Sequence, residues 1–211
     1  GKSTVVNLLC RFYNLNGGSI LLTDRDGGAH DISQVTLHSL RSQLGIMLQD
    51  SFLFTGTLKE NIRYGRLDAT DEEIVEAARR VRADDFIRDL KDGYDTPVKE
   101  RGGNLSQGQK QLVAFARTLL SDPAILILDE ATSSIDTQTE KLLQEGIQEM
   151  LKGRTSFIIA HRLSTIKNCD RILYIGNKGV MESGSHDELM AKKGLYYQLY
   201  TTQAKEQGLN V

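Results

Sequence analysis

The sequence has no tryptophan, and it contains only two prolines and two cysteines among its 211 residues. The cysteines, Cys10 and Cys169, match no metal-binding spacing, so we expect reduced thiols rather than a thiolate metal centre or a disulfide. The most apolar run, Ala124 to Leu128, has the length of a strand and falls far short of the roughly 20 residues that cross a bilayer. Repeats, low-complexity tracts and flexible linkers are also missing, which favours one folded domain.

The chain also lacks an excess of charge of either sign. Lysine and arginine total 26, aspartate and glutamate total 28, and the net charge is −2. A surface that binds nucleic acid would need a basic excess, so we expect no nucleic-acid partner. Hydrophobic residues make up 39% of the chain, enough to supply a buried core.

Segments with the apolar pattern of strands alternate along the chain with segments of helical pattern. Strands are predicted at 19–23, 44–49, 124–129, 154–160, 171–175 and 179–183, and the longest helices at 107–120 and 137–151. This alternation predicts an α/β fold with a mostly parallel sheet flanked by helices. We expect a single domain over residues 1–211, with a helical insertion at about residues 57–120.

The chain opens on Gly1-Lys2-Ser3-Thr4, which matches the end of the phosphate-binding loop G-x-x-x-x-G-K-[ST]. In that loop, backbone N–H groups at a helix start surround the phosphates, the lysine reaches the outer phosphates and the hydroxyl binds Mg²⁺. The motif therefore predicts that the α/β fold is of the P-loop NTPase type. Because only the last part of the loop is present, we expect the chain to be truncated within it.

Two adjacent carboxylates, Asp129 and Glu130, follow the most apolar predicted strand. Ligands of parallel α/β sheets bind at the carboxyl ends of strands, where one carboxylate can hold Mg²⁺ and a second can orient or deprotonate water. The alternative is that the pair only caps the segment that follows. The two carboxylates alone do not decide between these interpretations.

Three other polar positions allow a functional and a structural interpretation. Ser106 precedes the predicted helix 107–120, whose start would attract phosphate, although a serine there is also an ordinary N-cap. Gln49 and His161 follow predicted strands. They either face the same sheet edge as Asp129 or are a surface glutamine and a structural histidine.

Taken together and in this order, these residues resemble the ATP-binding cassette domain of ABC transporters, most closely the exporter type whose membrane helices precede the cassette. The motifs that carry the resemblance are the Q-loop at Gln49, the signature motif "LSQGQ" at Leu105–Gln109, the Walker B strand "ILILDE", the D-loop "SSID" at Ser133–Asp136 and the switch histidine His161. The likeness covers almost the whole chain. Gln107 departs from the glycine that is commonest in the signature motif, which puts the affinity of that site in question.

The resemblance implies a role for each motif residue. Lys2 would contact the β- and γ-phosphates, and Glu130 would be the general base for the attacking water, with Gln49 and His161 as the other catalytic residues. The implied Mg²⁺ ligands are Ser3, Gln49 and Asp129. The residues implied to bind ATP are Gly1, Lys2, Ser3, Thr4, Gln49, Ser106, Gln107, Gly108, Gln109, Asp129, Asp136 and His161.

The function implied by the resemblance is an ATPase that uses Mg²⁺ and powers export across a membrane through ATP-driven pairing of two cassettes. The implied partners are a second cassette and a transmembrane domain on the N-terminal side of the same polypeptide, at the cytoplasmic face of the membrane. Two alternatives are a non-transport ABC ATPase acting on DNA or the ribosome and a catalytically inactive cassette fragment. The exporter-like stretches "KERGGNLSQGQ" and "AHRLSTI" favour an exporter over the non-transport ATPase.

Overall fold

The computed structural model describes residues 1–24, 26–47, 52–129, 137–159 and 163–206. Within these residues the helices are α1 (Lys2–Leu9), α2 (Leu37–Ser42), α3 (Leu58–Arg63), α4 (Asp71–Arg80), α5 (Ala83–Asp89), α6 (Gln107–Leu120), α7 (Thr137–Leu151), α8 (Leu163–Lys167), α9 (His186–Lys192) and α10 (Leu195–Glu206). The strands are β1 (Leu21–Thr23), β2 (Ala29–Asp31), β3 (Leu44–Met47), β4 (Gly56–Thr57), β5 (Pro97–Val98), β6 (Ile125–Asp129), β7 (Thr155–Ile159), β8 (Ile172–Gly176) and β9 (Gly179–Gly184).

The elements divide into two compact units. One, which we call the terminal unit, combines Gly1–Val35 with Ile159–Val211. The other, the central unit, is Thr36–Ile158. Throughout the part of the chain that the structure describes, every helix is too short or too polar to cross a membrane.

The terminal unit contains two antiparallel hairpins, β1–β2 and β8–β9, together with α1 and the C-terminal helices. The acidic turn after β1 closes on itself, because the Asp24 carboxylate accepts hydrogen bonds from the Asp26 N–H at 3.0 Å and the Gly28 N–H at 2.8 Å. The residues that follow this turn, Ala29–Asp31, pair with β1 as an antiparallel strand. The predicted final strand pair is confirmed by β8 and β9.

The central unit is built on a sheet with the strand order β3-β6-β7. Strands β3 and β6 run parallel in a register that places Leu44 opposite Ile125 and Met47 opposite Leu128. At the start of β7, the Thr155 N–H donates to the carbonyl of Ala124 at 3.3 Å. The structure therefore confirms the α/β fold with a parallel sheet and flanking helices.

Helix α6 is the centre of the core of this unit. It begins at the residue predicted from the sequence because Ser106 caps it, and it ends at Leu120, three residues before Pro123. Its buried side chains pack against α3, α4, α5, α7 and β3. The fully buried large side chains of this core are Leu53, Leu58, Ile62, Ile74, Ile87, Leu112, Phe115, Leu126 and Leu143.

The helices α3, α4 and α5 lie in the stretch for which the sequence predicts a helical insertion. Thr57 caps α3 and Thr70 caps α4, and each forms a capping box with a glutamate three residues later. These capping boxes explain why a stretch with many charges starts helices at fixed residues. The insertion at about residues 57–120 stays a prediction about how the domain is organised.

A glycine in β3 allows the sheet to approach the end of α6. A Cβ atom on Gly45 would lie 2.6 Å from Cγ of Pro123 and 2.9 Å from Cγ2 of Thr118. Both neighbours are held by the packing of α6 and β6, so neither can move away cheaply. Close packing at this point requires a residue without a side chain.

We predict that Gly45→Ala destabilises the central unit by about 1–3 kcal/mol because the added methyl overpacks this contact. The measurement is hydrogen–deuterium exchange of the β3 amides, which should become faster. Gly103→Ala is the control, since a Cβ there meets only the Glu100 carbonyl at an ordinary 3.4 Å. Equal exchange rates in the two variants would contradict the prediction.

Candidate functional site

The N-terminus of α1 exposes unpaired backbone donors. The Val5 N–H donates to the Gly1 carbonyl at 3.2 Å as the first hydrogen bond of the helix, so the N–H groups of Lys2, Ser3 and Thr4 have no partner within it. All of these residues are exposed. The helix start therefore offers three donors and the positive end of its dipole to an anion.

Lys2 is in an unfavourable place for the helix itself. Its positive charge is at the positive end of α1, and no acidic residue in the first turn compensates it. Such an arrangement costs about 0.3–1 kcal/mol, and a bound anion would remove that cost. Broken local preferences of this kind are typical of functional sites. A Cβ on the preceding Gly1 would lie 3.0 Å from Cγ2 of Ile175 in β8, so a larger residue there would require Ile175 to shift by a few tenths of an ångström.

The N-terminus of α6 has the same electrostatic character with a better cap. The Gln109 N–H donates to Oγ of Ser106 at 3.2 Å, and the Ser106 N–H donates to Oε1 of Gln109 at 2.9 Å. The Lys110 N–H makes the first backbone bond of the helix, to the Ser106 carbonyl. The N–H groups of Gln107 and Gly108 are therefore left without a partner in the helix. Ser106 and Gln107 are exposed, whereas Gly108 is buried.

The residue that completes this capping box distinguishes α6 from its neighbours. In the boxes of α3, α4 and α9 the third helical residue is a glutamate: Glu60, Glu73 and Glu188. In α6 the same position is the neutral Gln109, and no acidic residue is present in the first turn. A glutamate would satisfy the cap equally well but would repel a phosphate. The start of α6 is therefore capped without losing its attraction for anions.

The strand ends of the central sheet lie side by side. Met47, the last residue of β3, is opposite Leu128, so the half-buried Asp129 at the end of β6 lies beside the point where the chain leaves β3. β7 is the next strand of the same sheet and ends at Ile159. These are the strand ends after which the sequence places Gln49, Glu130 and His161.

Comparison with known families identifies this combination of features. A family model described as "ABC transporter" matches residues 1–133 of the chain. The chain belongs to the ABC transporter family. The resemblance inferred from the motifs is thereby confirmed.

Relatives of known sequence and structure agree with this assignment. The chain is 52% identical over 199 residues to the fatty acid ABC transporter ATP-binding/permease protein of Mycobacterium bovis, covering 94% of this chain and 31% of that protein. It is 51% identical over 203 residues to a putative multidrug export ATP-binding/permease protein of Staphylococcus aureus, covering 96% of this chain and 34% of that protein. The structure of a bacterial Atm1-family ABC exporter with ATP bound matches with a TM-score of 0.86 and 47% identity, covering 97% of this chain and 35% of that chain. The chain thus spans about a third of the length of these relatives.

The structure brings the predicted ABC site residues together in groups. Gly1, Lys2, Ser3 and Thr4 share the start of α1 in the terminal unit, and Ser106–Gln109 share the start of α6 in the central unit. Asp129 ends β6. Gln49, Glu130, Asp136 and His161 lie outside the described residues.

The donor atoms expected at Mg²⁺ suit that ion. The Ser3 hydroxyl is exposed and the Asp129 carboxylate is half-buried, and both are hard oxygen donors. Among the described residues no group of three or more acidic, histidine or cysteine side chains forms a ready metal site. Proteins bind Mg²⁺ through one or two side chains, while water and phosphate supply the other ligands.

The sequence analysis did not identify a polar network that joins α6, the helix that begins in the signature motif, to Asn61 of α3. Arg117 is in the apolar run "LVAFARTLL" of α6, and its guanidinium donates to Asn61 and to the Phe52 carbonyl. Asn61 is only 1% exposed. The signal was present, because an arginine within a helix whose other residues are mostly apolar needs polar partners inside the fold.

We predict that Lys2→Glu slows hydrogen exchange of the α1 amides about two- to fivefold in the protein without nucleotide, because a negative charge suits this helix end. The control is Lys205→Glu, the same charge change in the last turn of α10, where the basic residue is favourable. That variant should speed exchange of the α10 amides. Faster exchange of α1 in Lys2→Glu would contradict the electrostatic interpretation of this terminus.

Proposed function

We propose that this chain binds and hydrolyses ATP with Mg²⁺ and that hydrolysis powers export across a membrane. The observation that carries the proposal is the start of α1, where Gly1, an exposed Lys2 and three free N–H donors stand together in a chain of the ABC transporter family. A triphosphate supplies negative charge, which would compensate both Lys2 and the positive end of the helix dipole. The ATP-bound exporter structure that the chain resembles supports the choice of nucleotide.

In the proposed site, the N–H groups of Lys2, Ser3 and Thr4 hold the inner phosphates, and the Lys2 ammonium contacts the β- and γ-phosphates. Ser3, Asp129 and Gln49 would hold Mg²⁺, which supplies positive charge against the charge that develops on the phosphate oxygens during transfer. Catalysis of this kind depends on charges fixed before the reaction begins.

We assign hydrolysis to Glu130 with Gln49 and His161. Glu130 accepts a proton from water as the water oxygen bonds to the γ-phosphorus, and the bond from that phosphorus to the bridging oxygen of ADP breaks. Gln49 would position the water, and His161 would donate a hydrogen bond to the γ-phosphate. Each of these residues follows a strand of the central sheet in the sequence.

The start of α6 would act on the ATP of a second cassette. Ser106 and Gln107 at its start are exposed, whereas most of the helix body is buried within its own unit. Ser106, Gln107, Gly108 and Gln109, with Asp136 of the D-loop, are the residues we assign to that contact. ATP would then hold two cassettes together, and its hydrolysis would release them.

The membrane part of the proposal comes from the relatives. Two of them are named as ATP-binding/permease proteins, one for fatty acids and one for multidrug export. Both are 51–52% identical to this chain although they are named for different substrates. This similarity supports an ATP-binding domain that exporters of different substrates share. We therefore propose a transmembrane domain as partner and a location at the cytoplasmic face of the membrane.

We predict that Glu130→Gln, in the complete protein, keeps ATP affinity but lowers kcat for ATP hydrolysis by about 10²–10⁴-fold, because the amide cannot accept the proton of water. Nucleotide binding and phosphate release are measured separately. Glu72→Gln, an exposed acid in the first turn of α4, serves as the control and should hydrolyse ATP like the wild type. Undiminished turnover of Glu130→Gln would refute the role of this residue.

We predict that Ser106→Asp abolishes ATP-dependent closure of two cassettes while α6 stays folded. Aspartate is as good an N-cap as serine, but its charge would repel the partner's γ-phosphate. Closure is measured as a distance between spin labels on the two cassettes in the Glu130→Gln background, and the fold by exchange of the α6 amides. Ser185→Asp makes the same change in the capping box of α9 and should close normally. Normal closure of Ser106→Asp would show that the start of α6 does not contact the ATP of the partner cassette.

A further inference from the structure

Helix α1 ends in an arginine whose backbone conformation is unusual for that residue. Arg11 follows the C-cap Cys10 and has a φ of 49°, in the left-handed region that glycine adopts most readily. The N–H groups of Arg11 and Phe12 close the helix end by donating to the carbonyls of Leu8 at 3.1 Å and Asn7 at 2.9 Å, respectively. These two bonds form a Schellman motif, in which the left-handed residue is usually a glycine. Arginine is strained in this position, which points to a task for its side chain.

The side chain of Arg11 joins the end of α1 to the segment that follows β2. Its Nη1 donates to the carbonyls of Ile32 and Val35, both at 2.7 Å. These partners lie 21 and 24 residues further along the chain and belong to the same terminal unit. A glycine would suit the backbone better but would have no donor for the two carbonyls.

The segment that accepts these hydrogen bonds is itself held in place. Ile32 is only 2% exposed, and its N–H donates to the Ile20 carbonyl at 3.0 Å, just before β1. Asp31 closes the turn after β2, because its carboxylate accepts the Ser33 N–H at 2.8 Å. Hydrogen bonds from Ser33 lower the pKa of the Asp31 carboxyl below its ordinary value, and the charge of Arg11 adds to this effect. Arg11 is therefore attached to the fixed end of the β1–β2 hairpin.

Packing gives α1 less support than it gives α6. Val6 and Leu9 are buried among the eight residues of α1, whereas α6 buries eight of its fourteen residues. The direction of α1 therefore depends more on directional hydrogen bonds at its end. Thr4 is six residues before Cys10, about 9 Å along the axis of a short helix that moves as one piece. A change of tilt at Arg11 would thus move the three N–H donors of the first turn.

We infer that Arg11 is a positioning residue for the triphosphate. By holding the end of α1 to the carbonyls of Ile32 and Val35, it sets the direction of the N–H donors at the start of the helix. The inference rests on the proposed function, because it assumes that the phosphates of ATP bind at this helix start. A site gains affinity when its donors are oriented before the ligand binds. The unfavourable backbone conformation of Arg11 is thereby explained.

The first experiment measures the dissociation constant for ATP with Mg²⁺ in the complete protein carrying Glu130→Gln, which slows hydrolysis during the titration. Arg11→Gly keeps the left-handed backbone and relieves its strain, but it removes the side-chain donor. We expect the dissociation constant to rise about 5- to 50-fold, because misdirected N–H groups lose part of their hydrogen bonding to the charged phosphates. Arg11→Lys retains a charged donor and should recover part of the affinity.

Lys193→Gly is the matched control. Lys193 ends α9 with a φ of 53° and an exposed side chain, which makes no hydrogen bond or ion pair with any described residue. This variant makes the same backbone change at the end of another helix of the terminal unit and should bind ATP like the wild type. Equal dissociation constants in Arg11→Gly and Lys193→Gly would overturn the inference.

Thermal unfolding without nucleotide separates positioning from a general loss of stability. If Arg11 only stabilised the fold, Arg11→Gly would lower the unfolding temperature but leave the dissociation constant unchanged wherever the protein is still folded. That result would overturn the inference. A raised dissociation constant well below the unfolding temperature supports it.

Asp31→Ala tests the same attachment from the other side, and it is an independent variant if Arg11→Gly fails to fold. Alanine removes the acceptor that closes the turn, so the segment that accepts from Arg11 would be held less firmly. We expect a raised dissociation constant for ATP, and the double variant should bind no more weakly than Arg11→Gly alone. Additive losses would overturn the inference. If the protein with an intact Arg11 failed to bind ATP, the proposed function would be refuted as well, whereas binding that Arg11→Gly leaves unchanged refutes the inference alone.

Discussion

One constraint governs the candidate site: α6 exposes Ser106 and Gln107 at its start, while most of the helix that follows is buried in the core. The buried body packs against four helices and a strand, which fixes the direction of the axis. The free N–H groups of Gln107 and Gly108 are therefore oriented before any ligand binds, so an anion at this helix start would require no reorganisation of the helix. A helix held less firmly would offer the same donors without a fixed direction.

The starts of α1 and α6 share a positive helix-dipole end without an acidic residue, but they are capped in different ways. Both lack acidic residues in the first turn, in contrast to α3, α4 and α9. At α6 the neutral Gln109 completes the cap, so the terminus is stable by itself. At α1 the cap is Gly1, which makes no side-chain hydrogen bond, and Lys2 opposes the dipole. The start of α1 is thus less well capped than the start of α6, and it is where the triphosphate is proposed to bind, as expected when binding supplies the missing interaction.

Polar side chains, and not only apolar packing, hold the irregular segments around α6. Arg117 and Asn61 hold the backbone that leads away from β3, and Arg154 holds the turn that leads into β6 through the Pro123 carbonyl. These segments lack the hydrogen-bond ladders of regular structure, so their carbonyls need partners elsewhere. Guanidinium groups suit this task because one plane presents several donors at once. The segment after β3 and the turn before β6 are in this way connected to the core.

The sequence by itself determined the α/β fold, the bounds of α6 and α7, the final hairpin and the helix starts at the lysine and serine motifs. Caps, strand-length apolar runs and the lysine and serine motifs are local properties, and local patterns can be read without a structure. The tertiary structure decided the strand order β3-β6-β7, the pairing of β1 with β2 and the joining of Arg117 to Asn61 across 56 positions of the chain. A sequence pattern records that a face is buried but not what covers it, and contacts between distant residues depend on how all the elements pack together.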